Sequence, residues 1–262
     1  MRGLFLFLCL VVLFINLTAA TFSYENTNVR IYADHDGNAH VIEKITLRIE
    51  GDASATTYNS NIAITNDITS WKTRTGVNDI RYHINPNAAP ISNLRVIPQP
   101  LKKLSLINPS YEGVLQIEYD AKGLFKGTQV KARTYDYSIS KDGLSFGTNT
   151  RGDIVLEDTD YLYIILPDDV QVISVDPLAQ NLDMLKKTDK EFFWKGKTTL
   201  QDFRFKYRYE KSLKEEVEEY FINLKDSFYG FISSQEGIYA MIMFVIVLAT
   251  YLVLKSKVKP NE

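Results

Sequence analysis

The chain has 262 residues, with 30 Lys and Arg against 32 Asp and Glu, a net charge of −2. That near balance argues against a nucleic-acid binder, which needs a concentrated basic face. The single cysteine, Cys9, excludes an intrachain disulfide framework.

In chain order, Met1-Arg2 gives a positive start, and Leu4 to Leu17 is apolar except for Asn16. Thr18-Ala19-Ala20 then supplies small residues suited to cleavage. This layout predicts a secretory signal peptide over residues 1–20, cut between Ala20 and Thr21; an uncleaved anchor is the alternative. With Cys9 inside it, the mature chain has no cysteine, and residues from Thr21 onward carry no N-x-S/T acceptor, since Pro109 blocks Asn108-Pro109-Ser110.

From Thr27 to Glu210 the pattern is of strands. Val114 to Ala121, Gln129 to Ile139, Asp160 to Pro167 and Asp169 to Pro177 are rich in β-branched and aromatic residues and bounded by turn formers. Two more strands are predicted around Lys195-Gly196-Lys197. No stretch before Ser212 keeps a clear 3.6-residue apolar period, apart from a turn or two near Leu178 to Leu185. The predicted fold class is mainly β, an antiparallel β-sandwich ectodomain. About 190 residues exceed the roughly 100 of one immunoglobulin-sized sandwich, so two packed sandwiches are expected, over 21–125 and 126–211. One enlarged sandwich is the rival.

Ala33 to Lys44, "ADHDGNAHVIEK", raises the question of a metal site. A calcium loop aligned on Gly37 would use Asp34, Asp36 and Glu43, but its first position falls on Tyr32, which has no carboxylate. A hairpin fits better. A three-residue loop, His35-Asp36-Gly37, with a left-handed glycine puts Val29, Ile31, Ala33, Val41, Ile45, Leu47 and Ile49 on one face. Glu43 falls on that apolar face and needs a partner, a bulge or an edge position. His83 lies far from His35 and His40, without the short paired spacing of zinc ligands, and reads as an ordinary strand histidine. No metal, cofactor or catalytic residues are predicted. Arg151-Gly152-Asp153 resembles an integrin-binding tripeptide, but three residues recur easily by chance and the stretch reads as a plain turn-rich loop. In "FRFKYRYE", Phe203, Phe205, Tyr207 and Tyr209 alternate with Arg204, Lys206, Arg208 and Glu210, a core-facing strand with a basic outer face. The sharper reading is a basic strip that touches headgroups or a surface polymer.

Ser212 and Glu215 form a capping box that opens a helix, the predicted stalk over 212–236. Leu213, Val217, Tyr220, Phe221, Leu224, Phe228 and Phe231 recur at helical spacing, and Val217, Tyr220, Phe221, Leu224 and Phe228 are the candidate partner-contact stripe. The acidic first turns argue against a helix lying flat on an anionic membrane. Ile238 to Leu254 is uncharged and free of proline, and as a helix would cover about 26 Å, enough for the hydrocarbon core. A transmembrane helix is therefore predicted over 237–254, with a buried core helix as the alternative. Lys255, Lys257 and Lys259 follow, which predicts a cytoplasmic tail over 255–262 and a single-pass protein with its N-terminal part outside.

"DGNAHVIEKITLRI" resembles the first hairpin of ectodomains in uncharacterised, signal-bearing, single-pass membrane-anchored proteins of archaeal type. "LPDDVQVISVDP" and "FFWKGKTTLQDFRFKYRYE" are similar to closing strands of such β-sandwich surface proteins. The resemblance covers about a third of the chain and implies an archaeal-type surface protein with a β-rich ectodomain, leaving its activity open. The expected function is a non-enzymatic, membrane-anchored extracytoplasmic binding or scaffolding protein of the cell envelope. Its expected partners are the lipid bilayer and a protein, or a second copy, held by the stalk; no nucleic acid is expected. An accessory subunit of a membrane complex is the alternative, and an extracytoplasmic hydrolase the third.

Overall fold

The structure, a computed structural model, describes residues 21–64, 67–181 and 190–257. The predicted signal peptide with Ala20, the second half of the helical turn near Leu178 to Leu185, and the end of the tail lie outside them. The chain divides into two compact units, meeting at Tyr209/Glu210. The first is mainly β. Its strands are β1 (Thr21–Ala33), β2 (Ala39–Glu50), β3 (Ile91–Pro98), β4 (Lys102–Ser105), β5 (Ser110–Ala121), β6 (Lys126–Lys131), β7 (Thr134–Ser140), β8 (Gly147–Thr148), β9 (Ile154–Leu156), β10 (Asp160–Ile165), β11 (Gln171–Asp176), β12 (Glu191–Lys195), β13 (Thr198–Leu200) and β14 (Arg204–Glu210).

The largest sheet has the order β12-β10-β1-β2-β5-β3, with β4 also on β5. A second runs β11-β14-β7-β6, and β13-β9-β8 forms a small third. The strands do not segregate at the expected 125/126 boundary. β10 and β12, both from beyond it, extend the sheet that β1 and β2 begin. The reason is edge satisfaction: without β10, the free side of β1 would leave a row of unpaired backbone donors and acceptors. β10 fills it in parallel, Thr27 opposite Asp160 through Tyr32 opposite Ile165, so the antiparallel expectation fails at this pair. Gln129 to Ile139, read as one strand, is the hairpin of β6 and β7, with Lys131 opposite Thr134 around Ala132-Arg133.

The two larger sheets meet through aromatic side chains. Trp194 and Phe192 of β12 lie edge-on to Phe205 of β14 at 6.3 and 5.1 Å, and Phe125 lies 5.3 Å from Tyr207. These residues belong to one buried core with Val29, Ile31, Val41, Ile45, Leu47 and Ile49, the last six fully buried. Each such side chain contributes roughly 1.5–3 kcal/mol when removed from water.

Two helices appear where none was predicted, α1 (Asp52–Ile64) and α2 (Ile68–Thr75). In α1 the inward positions are Ser54, Ala55, Tyr58 and Asn61, correctly spaced but mostly small or polar, so they leave no apolar period. Tyr58 anchors α1 to the sheet, its hydroxyl 2.9 Å from the carbonyl of Gln99. Gly113 makes room, since a Cβ there would meet the Tyr58 ring at 2.8 Å. Asp67 caps α2 by accepting from Ser70 N, and Trp71 packs 5.1 Å from Tyr58.

The second unit holds α3 (Leu213–Ser233) and α4 (Gln235–Lys257), broken at the extended Ser234. The second helix therefore starts two residues before the predicted span. Gly237 is needed at the break, because a Cβ there would overlap the Phe231 carbonyl oxygen at 1.8 Å. Over Gln235–Lys255, α4 is long and apolar enough to cross a membrane, and includes Ile238 and Leu254.

Candidate functional site

The opening hairpin is a turn. Asp34 N donates to Asn38 O at 2.9 Å, leaving the three-residue loop His35-Asp36-Gly37, with Gly37 at φ 81°. The Asp34 carboxylate closes it, accepting from Asp36 N and Asn38 N at 2.8 Å each and from Asn38 Nδ2 at 3.1 Å. The face assignment follows the prediction, with Val29, Ile31, Val41, Ile45, Leu47 and Ile49 inward and Arg30, Tyr32, Lys44 and Arg48 outward.

The three histidines take three different carboxylates. His35 Nε2 lies 2.7 Å from Asp169 and its ring 4.3 Å from that of Tyr209; His40 Nδ1 lies 2.8 Å from Asp120. Asn93 Nδ2 donates 2.7 Å to the second Asp120 oxygen, and this amide contact, followed by His40, holds the Asp120 carboxyl below its ordinary value. His83 is not a strand residue. It sits in the irregular segment before Ile84, buried, with its ring 4.8 Å from Phe146.

His83 is the partner that Glu43 requires. Glu43 is 0 % exposed in the middle of β2, ladder-paired with Val29 and Ile117, which rules out the edge and bulge alternatives. Its Oε2 lies 2.8 Å from His83 Nδ1, and its Oε1 accepts from His83 N at 2.8 Å and from the Tyr119 hydroxyl. A buried carboxylate survives only with such donors. Burial, then the charge of Glu43, pushes the Tyr119 hydroxyl far above its usual range, so it stays protonated and donates. Tyr82 packs edge-on to Tyr119 at 5.6 Å, and burial followed by Glu43 raises its hydroxyl as well. His83 also lines a small cleft of about 190 Å³ with Tyr24, Asp79, Arg81, Glu157 and Asp160. The geometry ties the His83 segment to the central sheet. In sequence the signal was an acid on an apolar face; its partners, 40 and 76 residues away, carried none.

The tripeptide Arg151-Gly152-Asp153 is a closed turn. Asn149 Oδ1 accepts from Arg151 N and Asp153 N at 2.9 Å each, while Asp153 is buried and its Oδ1 accepts from Asp202 N. An adhesive carboxylate must be presented; this one is engaged inside the turn.

The predicted stripe residues come together on α3. Ser212 Oγ accepts from Glu215 N at 3.2 Å and Glu215 Oε2 from Ser212 N at 2.7 Å, completing the capping box. α3 buries none of its residues. Val217, Leu224, Phe228, Phe221 and Tyr220 are 45, 51, 60, 61 and 63 % exposed, which leaves a continuous apolar face uncovered. Lys211 pairs with Glu219 at 2.7 Å and Lys214 with Glu218 at 3.7 Å, among the acids of the first turns.

No protein-family model matches the chain, and no curated protein sequence matches it at a significant level.

Proposed function

We propose that the chain is a non-enzymatic, membrane-anchored extracytoplasmic binding or scaffolding protein of the cell envelope, of the archaeal surface type its sequence resembles. In this reading residues 1–20 direct export and are removed before Thr21, α4 holds the protein in the cell membrane, and the lysines from Lys255 keep the C-terminus in the cytoplasm. The observation that carries it is the open stripe of α3, immediately before a helix apolar enough to span a bilayer. A surface protein with nothing to bind has no need of five large apolar residues in a row on one helix face. The occupant is a protein partner or a second copy of the chain, because acidic residues around the stripe repel an anionic lipid surface.

A second reading, an accessory subunit of a membrane complex, draws on the same stripe and α4 acting together. Crosslinking and capture from native membranes separates the two. One dominant membrane protein crosslinked through α3 and α4 supports the subunit; self-crosslinks or an envelope component support the module. Protease added outside intact cells should remove residues 21–236 and spare the span and tail, and protection of that region would overturn the orientation.

A further inference from the structure

The outer face of the β11-β14-β7-β6 sheet carries one paired cluster and several polar groups that take no partner among the described residues. β14 turns Phe205, Tyr207 and Tyr209 into the core and Arg204, Lys206 and Arg208 outward. On neighbouring β7, Asp136 accepts from Arg208 Nε at 2.7 Å and Nη2 at 3.1 Å, and from Lys206 Nζ at 3.0 Å. This fixes two cations in place and leaves the third. Arg204 is exposed and takes no side-chain partner among the described residues.

Beside Arg204 and Lys206 lies a groove of about 590 Å³, a volume typical of small-ligand sites. Thr128 on β6, Ser138 and Ser140 on β7 and Ser174 on β11 line it, and their hydroxyls have no partner among the described residues. Val130, 49 % exposed, adds apolar surface. From β6 to β11 is three strand spacings, roughly 14 Å, so the hydroxyls are strung along a groove and do not converge on one point.

We propose that this groove binds an anionic saccharide chain, one bearing carboxylates or sulfates. Arg204, with Lys206 beside it, takes the acidic group through charge-assisted hydrogen bonds. The spread hydroxyls exchange hydrogen bonds with those of the sugar, and Val130 meets its C–H face. A bare phosphate is the poorer match, since anion sites of that kind gather backbone N–H groups or cations around one centre. The net charge of −2 means that the cations here are local and not part of a general basic field. The site is independent of the α3 stripe but draws on the extracytoplasmic placement proposed above, where such polymers occur.

The test uses the full-length protein in nanodiscs of neutral lipid, so binding is read whichever way the chain is oriented in cells. Titration with heparin and with polyglucuronate should show saturable binding, and neutral dextran none. Arg204→Ala should weaken it about tenfold, the scale of one charge-assisted contact. Ser138→Ala with Ser174→Ala, which leaves the charge untouched, should weaken it roughly threefold to tenfold. Lys102→Ala with Lys103→Ala, an equal or larger charge loss on β4, should leave it near wild type. Three results each overturn the proposal: no binding to either acidic polymer, equal weakening by the β4 pair, or an unchanged affinity in the double serine variant. Anionic vesicles that compete as well as heparin for the same residues would reassign the groove to a lipid surface.

Discussion

Glu43 and Phe221 are mirror-image exceptions to the same rule. One is a carboxylate on the buried face of a central strand; the other is a large aromatic on the open face of a helix. The fold answers the first from within, through His83 and Tyr119, and leaves the second unanswered. An exception closed by the chain's own groups does structural work. One left open on an ordered, capped helix points to something outside the chain. The stability of the first unit should therefore depend steeply on Glu43 and hardly at all on Phe221.

The largest expected effect breaks the closed exception. Glu43→Ala strands the Tyr119 hydroxyl and the His83 amide in the core and should cost about 3–5 kcal/mol in a urea melt of the full chain. A loss below about 1 kcal/mol would mean that water replaces the carboxylate, and the contrast with Phe221 would collapse. Next is Gly37→Ala. It forces a side chain at φ 81°, and its Cβ would sit 2.3 Å from the Phe125 carbonyl oxygen, at an expected cost of about 1–3 kcal/mol in the same melt.

Asp136 lies between the two extremes, nearly buried yet facing the open groove. Its hydrogen bonds from Arg208, then Lys206, hold its carboxyl below the ordinary value near 3.9. With the folded value depressed, its contribution is fully present above the unfolded value and is lost as pH falls through the folded one. Asp136→Asn should consequently flatten the decline of stability below about pH 4, measured by melts across pH 2–6. An unchanged acid limb would show the pair to be screened. The smallest effect separates two neighbours in the opening turn. Asp34→Ala removes the acceptor of three hydrogen bonds and should cost about 1 kcal/mol, whereas Asp36→Ala should stay within about 0.5 kcal/mol.

Legibility in the sequence followed how a feature is encoded. The faces of β1 and β2 were readable because their inward residues are apolar and alternate, and α3 was readable from its stripe and cap. α1 was hidden because Ser54, Ala55 and Asn61 occupy its inward face. The β6–β7 turn was hidden because Ala132-Arg133 contains none of the usual turn residues. The parallel β1–β10 pair joins strands about 130 residues apart, a contact that no local periodicity carries. Glu43 stood out as a misfit, but His83 could not be named as its partner from spacing. In the groove, the basic face of β14 was visible, while the serines that complete it come from other strands.

Exchange of Phe221 and Phe228 for Ser in the full-length protein tests the open exception most directly, by crosslinking in native membranes alongside a melt of the same sample. Capture of the protein partner or second copy should fall to background, while the melting of the first unit and membrane insertion through Ile238 to Leu254 stay as in wild type. Undiminished capture would make α3 a plain spacer, and a melt lowered by several degrees would place the stripe in the core.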